Sequence, residues 1–176
     1  EATDKGRRTL NRRRRTPLKL RQATREDAPA MHSLYVDTVI RQGGAPRYSL
    51  AYFEVLAPHA GTVALLDEQV VGYVCTGRKG ERGLYLHGAH APAVRAHHPS
   101  DLLYLAMLEA ARSRGLRAFD FLASPQPGLL HYKEAWGGVQ FTEWTSDLGI
   151  NALGSVFVMA YAAHYRWRRR DGAAQA

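Results

Sequence analysis

The stretch from His87 to Gly138, with the strand that leads into it, constrains the fold more than any other. An apolar run, Leu84 to Ala91, precedes a polar turn ending in Pro99-Ser100-Asp101 and a helical segment, Leu102 to Arg114, closed by Gly115. A second strand-like run, Arg117 to Ala123, follows at once. The turn Ser124-Pro125-Gln126-Pro127-Gly128 then leads into a short helix bearing His131-Tyr132-Lys133-Glu134-Ala135-Trp136-Gly137. Two strands joined through one helix imply parallel pairing with a right-handed crossover. In such βαβα units ligands bind at the carboxyl ends of the strands, so the chemistry is expected in the two turns.

The chain before this unit reads differently. Leu18 and Leu20 alternate with polar residues and suggest a short first strand. Thr24 is placed to cap a helix whose first turn holds Glu26 and Asp27. Met31, Leu34, Tyr35, Thr38 and Val39 recur at helical spacing, and Gly43-Gly44-Ala45-Pro46 ends the element. A second helix, Ser49 to about Leu56, ends near Pro58. From Thr62 the period changes to two β-branched runs, Thr62 to Leu66 and Val70 to Thr76, with Asp67-Glu68-Gln69 between them as a hairpin turn. Val139 to Thr145 alternates again and is expected to be a further strand. The expected class is therefore α/β: antiparallel strands feeding a parallel βαβα unit in one mixed sheet, with helices on both faces.

A length of 176 residues allows one domain with a proper core and hardly two. Its single cysteine, Cys75, lies in an apolar run, which fits a buried thiol and a reducing, cytoplasmic compartment. The formal charge of +8 is carried by the ends. Glu1 to Arg21 alone nets +7, and a second cluster, Arg166, Arg168, Arg169 and Arg170, lies near the carboxyl end. Such runs are either solvated tails or polyanion contacts, to tRNA for example. Residues 1–17 show no apolar period and are expected to be a mobile basic segment or linker; residues 18–147 form the domain, and 148–176 an apolar helix with a basic tail. The apolar part, Leu148 to Ala163, is short of the about 20 residues a spanning helix needs. A docking helix, or weak contact with an anionic membrane through its arginines, are the readings left. The chain has neither an initiator Met nor a signal-peptide pattern, and a fragment of a longer protein is one reading of that.

The order of elements resembles the GNAT acyltransferase fold. Tyr85-Leu86-His87-Gly88-Ala89, Pro99-Ser100-Asp101-Leu102-Leu103, Phe119-Asp120-Phe121, the segment Gly128 to Gly137 and Arg47-Tyr48-Ser49-Leu50-Ala51-Tyr52-Phe53 are similar to the FemAB and BioF2-like group. The likeness spans roughly Arg21 to Thr145 and points to the carboxyl-terminal half of enzymes that hold two such domains, so a missing amino-terminal GNAT domain is implied as a partner. The resemblance implies transfer of an acyl or aminoacyl group to an amine acceptor, with acyl-CoA or aminoacyl-tRNA as donor. One departure is chemical: the loop His90 to Ser100 contains no glycine, whereas a backbone cradle for a pyrophosphate relies on one. Arg95, His97, His98 and Ser100 would meet the donor there instead, with Tyr132 and Trp136 nearby.

The same motifs imply that Lys133 stabilises developing charge; its alternative is a solvent-facing lysine on a helix whose Tyr132 and Trp136 pack inward. On the catalytic reading, Lys133→Ala abolishes transfer and leaves the melting temperature nearly unchanged. Asp120, between two phenylalanines, is either an acceptor for turn amides or a polar group at the cleft. His87, on the central strand, is either a base or a hydrogen-bonded core group. Ser100 also reads as a helix cap. The histidines lack metal-site spacing, and no metal is expected.

Overall fold

The computed structural model describes residues 3–123, 127–141 and 151–173, with side chains up to residue 163. In chain order the elements are α1 (Asp4–Arg13), β1 (Lys19–Gln22), α2 (Ala28–Arg41), α3 (Leu50–Ala60), β2 (Gly61–Leu66), β3 (Gln69–Lys79), β4 (Arg82–His90), α4 (Pro99–Ser113), β5 (Ala118–Asp120), α5 (Pro127–Ala135) and α6 (Ala152–Ala173). Short 3-10 turns, Arg25–Asp27 and Pro92–His97, precede α2 and α4. Residues up to Val139 form one compact unit and those from Gln140 another.

In the first unit the strands lie in sequence order, β1-β2-β3-β4-β5. The first three pairings are antiparallel and β4–β5 is parallel, as the crossover through α4 requires. The β2–β3 hairpin turns on Asp67 and Glu68, both left-handed (φ 50° and 62°), the conformation that matches strand twist in a two-residue loop. Alternation sends Val63, Tyr73 and Cys75 to one face, under α2 and α3, where they meet Met31, Tyr35, Phe53 and Ala57. Ala64 and Val74 face the other way, under α4, with Leu103, Tyr104 and Met107. Tyr73, Phe53 and Met31 are among the largest fully buried side chains, each stabilising the fold by about 1.5–3 kcal/mol through burial.

Local chemistry explains most element ends. Asp27 is buried and takes two hydrogen bonds from Arg21 (2.6 and 2.8 Å) and one from the Thr24 amide (2.7 Å), joining β1 to the start of α2. The Arg21 guanidinium holds the Asp27 carboxyl below its usual range. Ser49 caps α3, which continues through Pro58 to Ala60 rather than stopping at the proline. A proline late in a helix removes one internal hydrogen bond, and here the following strand takes over at once.

Several expectations need correction. Residues 4–13 are not a mobile linker: they form α1, capped by Thr3, whose hydroxyl accepts from the Gly6 amide. Long-range ion pairs from Lys5, Arg12 and Arg13 to α4 and the burial of Gly6 and Thr9, not an apolar stripe, hold it, which is why apolar periodicity missed it. Ser100 is not the cap of α4; His98 occupies that position in a left-handed conformation (φ 53°). The expected strand after Gly138 is absent over Val139–Phe141, and residues 142–145 lie outside those described, as do Ser124, Pro125 and Gln126. Val139 and Phe141 are 87% and 65% exposed, so neither side chain is packed in a core.

In the second unit Asn151 precedes α6, and its side-chain oxygen accepts from the Gly154 amide (2.8 Å). Leu153, Phe157, Met159 and Tyr161 on it are exposed. Residues 148–150 of the expected apolar helix are outside those described. Among the described residues no helix is long and apolar enough to cross a membrane.

Candidate functional site

The parallel pairing of β4 with β5 covers Arg82–Leu84 against Ala118–Asp120 and stops there. β4 continues to His90, paired only with β3 among the described residues. Among the described residues its second half therefore presents main-chain donors and acceptors along a free edge. A register shift between Cys75 and Thr76 gives β4 one extra residue, Leu86. Such a bulge re-aims the next side chain. Tyr85 packs on the α4 side, whereas Leu86 and His87 both meet the α2/α3 side.

His87 is half-buried among aromatic rings. Its Nε2 lies 3.2 Å from the Tyr52 hydroxyl and its Nδ1 3.1 Å from the Tyr73 hydroxyl. A neutral imidazole offers one donor and one acceptor, and two hydroxyls satisfy both. Burial pulls the His87 pKa down to about 4. Burial also raises Tyr52 and Tyr73, which stay protonated. The centre is thus a neutral Tyr–His–Tyr array beside a strand edge that is unpaired among the described residues. Gly88 follows, and a Cβ there would come 2.8 Å from the Tyr73 carbonyl oxygen, so glycine lets β3 and β4 close up at this point.

The loop between β4 and α4 holds the other expected residues. Ser100 Oγ lies 3.0 Å from His90 Nδ1. Burial, with Arg41 and Arg95, lowers the His90 pKa. Arg95 and His98 are exposed and His97 half-buried. The loop's amides are largely used internally: His98 N–H donates to Arg95, and those of Asp101 and Leu102 to His98. Pro99 has none to give. These amides are therefore already engaged at the start of α4, and the side chains of Arg95, His97 and His98 lie in the same loop.

Four expected site residues are occupied in packing or in turn hydrogen bonds. Lys133 is only 6% exposed, and its Nζ donates to the main-chain carbonyls of Phe121 (2.5 Å) and Leu122 (2.9 Å), the latter left-handed (φ 59°). Burial lowers its pKa, opposed by Asp120. Lys133 thus fixes the chain leaving β5. Tyr132 and Trp136 pack inward on Tyr104. Asp120 accepts from the Leu122 amide (2.7 Å) in the same turn.

A group that sequence reasoning did not single out organises this side. Asp101, 7% exposed, takes Lys5 Nζ at 2.8 Å, an Arg12 guanidinium nitrogen at 2.9 Å and the Tyr132 hydroxyl at 2.9 Å. Lys5 also sits 4.4 Å from the centre of the Tyr132 ring. Three helices meet on one carboxylate. The only sequence signal was an acidic residue in a helix's first turn, which is also the mark of an ordinary dipole partner. Among the described residues no three His, Cys, Asp or Glu side chains gather as a metal site.

Comparison with known proteins fits this geometry. The family model described as an acetyltransferase (GNAT) domain matches residues 4–134. No curated protein matches the chain. Among solved structures, FemX superposes with a TM-score of 0.65 at 14% identity, over 77% of this chain and 54% of FemX. The chain thus spans about half of FemX. Diaminobutyrate acetyltransferase EctA from Paenibacillus lautus, solved with L-2,4-diaminobutyric acid and coenzyme A, gives 0.57 at 17% identity, over 69% of this chain and 74% of that one. Ribosomal-protein-alanine N-acetyltransferase from Brucella melitensis biovar Abortus 2308 gives 0.58 at 17%, over 75% and 99%. Likenesses at this identity establish the fold.

Proposed function

The chain belongs to the acetyltransferase (GNAT) domain family, and from that premise we propose that it is an N-acyltransferase moving an acyl or aminoacyl group from an activated donor to an amine. The observation that carries this is the free edge of β4 beside His87. Edge amides are suitable donors to the oxyanion of a tetrahedral intermediate, and the neutral Tyr52–His87–Tyr73 array can orient the attacking amine and relay its proton. In the step itself a C–N bond forms, the bond from the carbonyl carbon to the donor's sulfur or oxygen breaks, and one amine proton ends on that leaving atom. No covalent enzyme intermediate is needed. Arg95, His97 and His98 would meet the donor's phosphates, a role that favours an aminoacyl-tRNA or another side-chain-bound donor over a backbone-cradled acetyl-CoA.

Lys133 enters this scheme as a positioning residue that holds the main chain at Phe121 and Leu122, just beyond β5. The FemX likeness, covering about half of that protein, supports a second domain as the acceptor's partner surface. The reading is tested by supplying acetyl-CoA and, separately, aminoacyl-tRNA with a panel of amines and measuring amide product. Product with either donor, lost in His87→Phe, supports it; failure with both contradicts it.

A further inference from the structure

The rings around His87 restrict which amine can approach it. Phe53, Tyr48, Tyr73 and Tyr52 lie with centroids 5.3, 5.4, 5.6 and 5.7 Å from the imidazole. Phe53 and Tyr73 are closed to solvent, whereas Tyr48 is 42% exposed. Tyr48 stacks on Tyr52 at 4.4 Å and 15° and meets the Tyr35 ring at 5.4 Å and 33°, and it is the most solvent-exposed ring of the group. Its place is fixed from both sides: the Arg47 amide donates to the Tyr35 hydroxyl (2.9 Å), and Ser49 caps α3. Among the described residues no acidic side chain hydrogen-bonds or ion-pairs with His87, Tyr48 or Tyr52.

This arrangement suits one kind of acceptor. An alkylamine arrives as an ammonium ion and must lose a proton before it can attack, yet among the described residues no carboxylate is bonded to these rings to take it. An arylamine is neutral near pH 7, needs no prior deprotonation, and carries a flat ring that can stack. We propose that Tyr48 is a specificity-determining residue that selects an acceptor whose amine is carried on a planar aromatic ring, by stacking that ring against the exposed side of Tyr48. This deepens the transfer reading and rests on it. The amine nitrogen then faces His87 and the free edge of β4, where the C–N bond forms and the donor's leaving atom takes the proton.

Aniline and cyclohexylamine, alike in size and opposite in planarity, test the idea. Binding of each to the full chain is followed by the ring signals of Tyr48 and His87, with no donor present. Aniline is expected to bind about 2- to 10-fold more tightly, the range of one aromatic pair. Tyr48→Leu should erase that preference and Tyr48→Phe should keep it. Equal or tighter cyclohexylamine binding, as ammonium attraction to ring faces would give, overturns the proposal. So does a preference that survives Tyr48→Leu. Product assays with acetyl-CoA and aminoacyl-tRNA run beside it separate the two readings. Ring selectivity without product from either donor defeats the transfer reading alone, and product formed equally from both amines defeats the role of Tyr48 alone.

Discussion

Lys5 Nζ and Asp101 Oδ1 lie 2.8 Å apart, tying the basic amino-terminal helix to the first turn of α4. Arg12 and Tyr132 complete the same carboxylate, so α1, α4 and α5 share one buried anchor. Removing the carboxylate leaves two cations and a hydroxyl without their acceptor. Asp101→Asn is therefore expected to cost about 3 kcal/mol in chemical denaturation and to expose α1 to proteolysis at its arginines. A change below about 0.5 kcal/mol would show that α1 is held by other means.

Lys133 holds two main-chain carbonyls at the exit of β5. Lys133→Met keeps the apolar stem but leaves both carbonyls without the ammonium. The expected loss is about 1.5–3 kcal/mol of stability, since hydrogen bonds to a charged group carry that much. A melting temperature nearly unchanged, as the motif alone suggested, would contradict the packing role.

His87 makes the fold acid-sensitive. Its pKa is about 4 in the folded chain, against the 6.5 ordinary for an exposed histidine. Between those limits the unfolded chain binds the extra proton, so stability rises with pH through the window and is lost as pH falls from 6.5 towards 4. The full span corresponds to about 3 kcal/mol. Denaturation midpoints from pH 7 to 4 should fall more steeply for the wild type than for His87→Phe. Parallel slopes would show that other groups set the acid limb. Because His87 stays neutral above that window, its titration should leave transfer rates flat between about pH 6 and 8.

Gly83 pairs with Phe119 across β4–β5, and a Cβ there would stand 2.6 Å from a carbon of the Phe119 ring. Gly83→Ala should destabilise the fold by about 1–3 kcal/mol, the usual effect of overpacking, and weaken the short parallel pairing most. Hydrogen exchange at Ala118–Asp120 no faster than in the wild type would argue against this.

Much of the architecture was legible because it rests on periodicity. The hairpin at Asp67-Glu68, the parallel β4–β5 pair and the glycine that ends α4 all follow from residue spacing and turn chemistry. The site was less so. The Leu86 bulge that turns His87 towards the tyrosines is a matter of register with β3, which no local pattern encodes. Tyr48, Tyr52 and Tyr73 come from a loop, a helix and a strand, and only folding brings them to one imidazole. Lys133 carried a motif, but a motif does not say whether an ammonium faces a ligand or the protein's own carbonyls.

The central claim is that the donor's acyl group lies along the free edge of β4 beside His87. The direct measurement is backbone and imidazole chemical shifts of isotope-labelled chain titrated with acetyl-CoA and, separately, with aminoacyl-adenosine as a mimic of a charged tRNA end. Saturable shifts concentrated at Tyr85–His90 and the His87 ring with one of the two donors are the expected result. Shifts confined to other surfaces, or none with either donor, would contradict it.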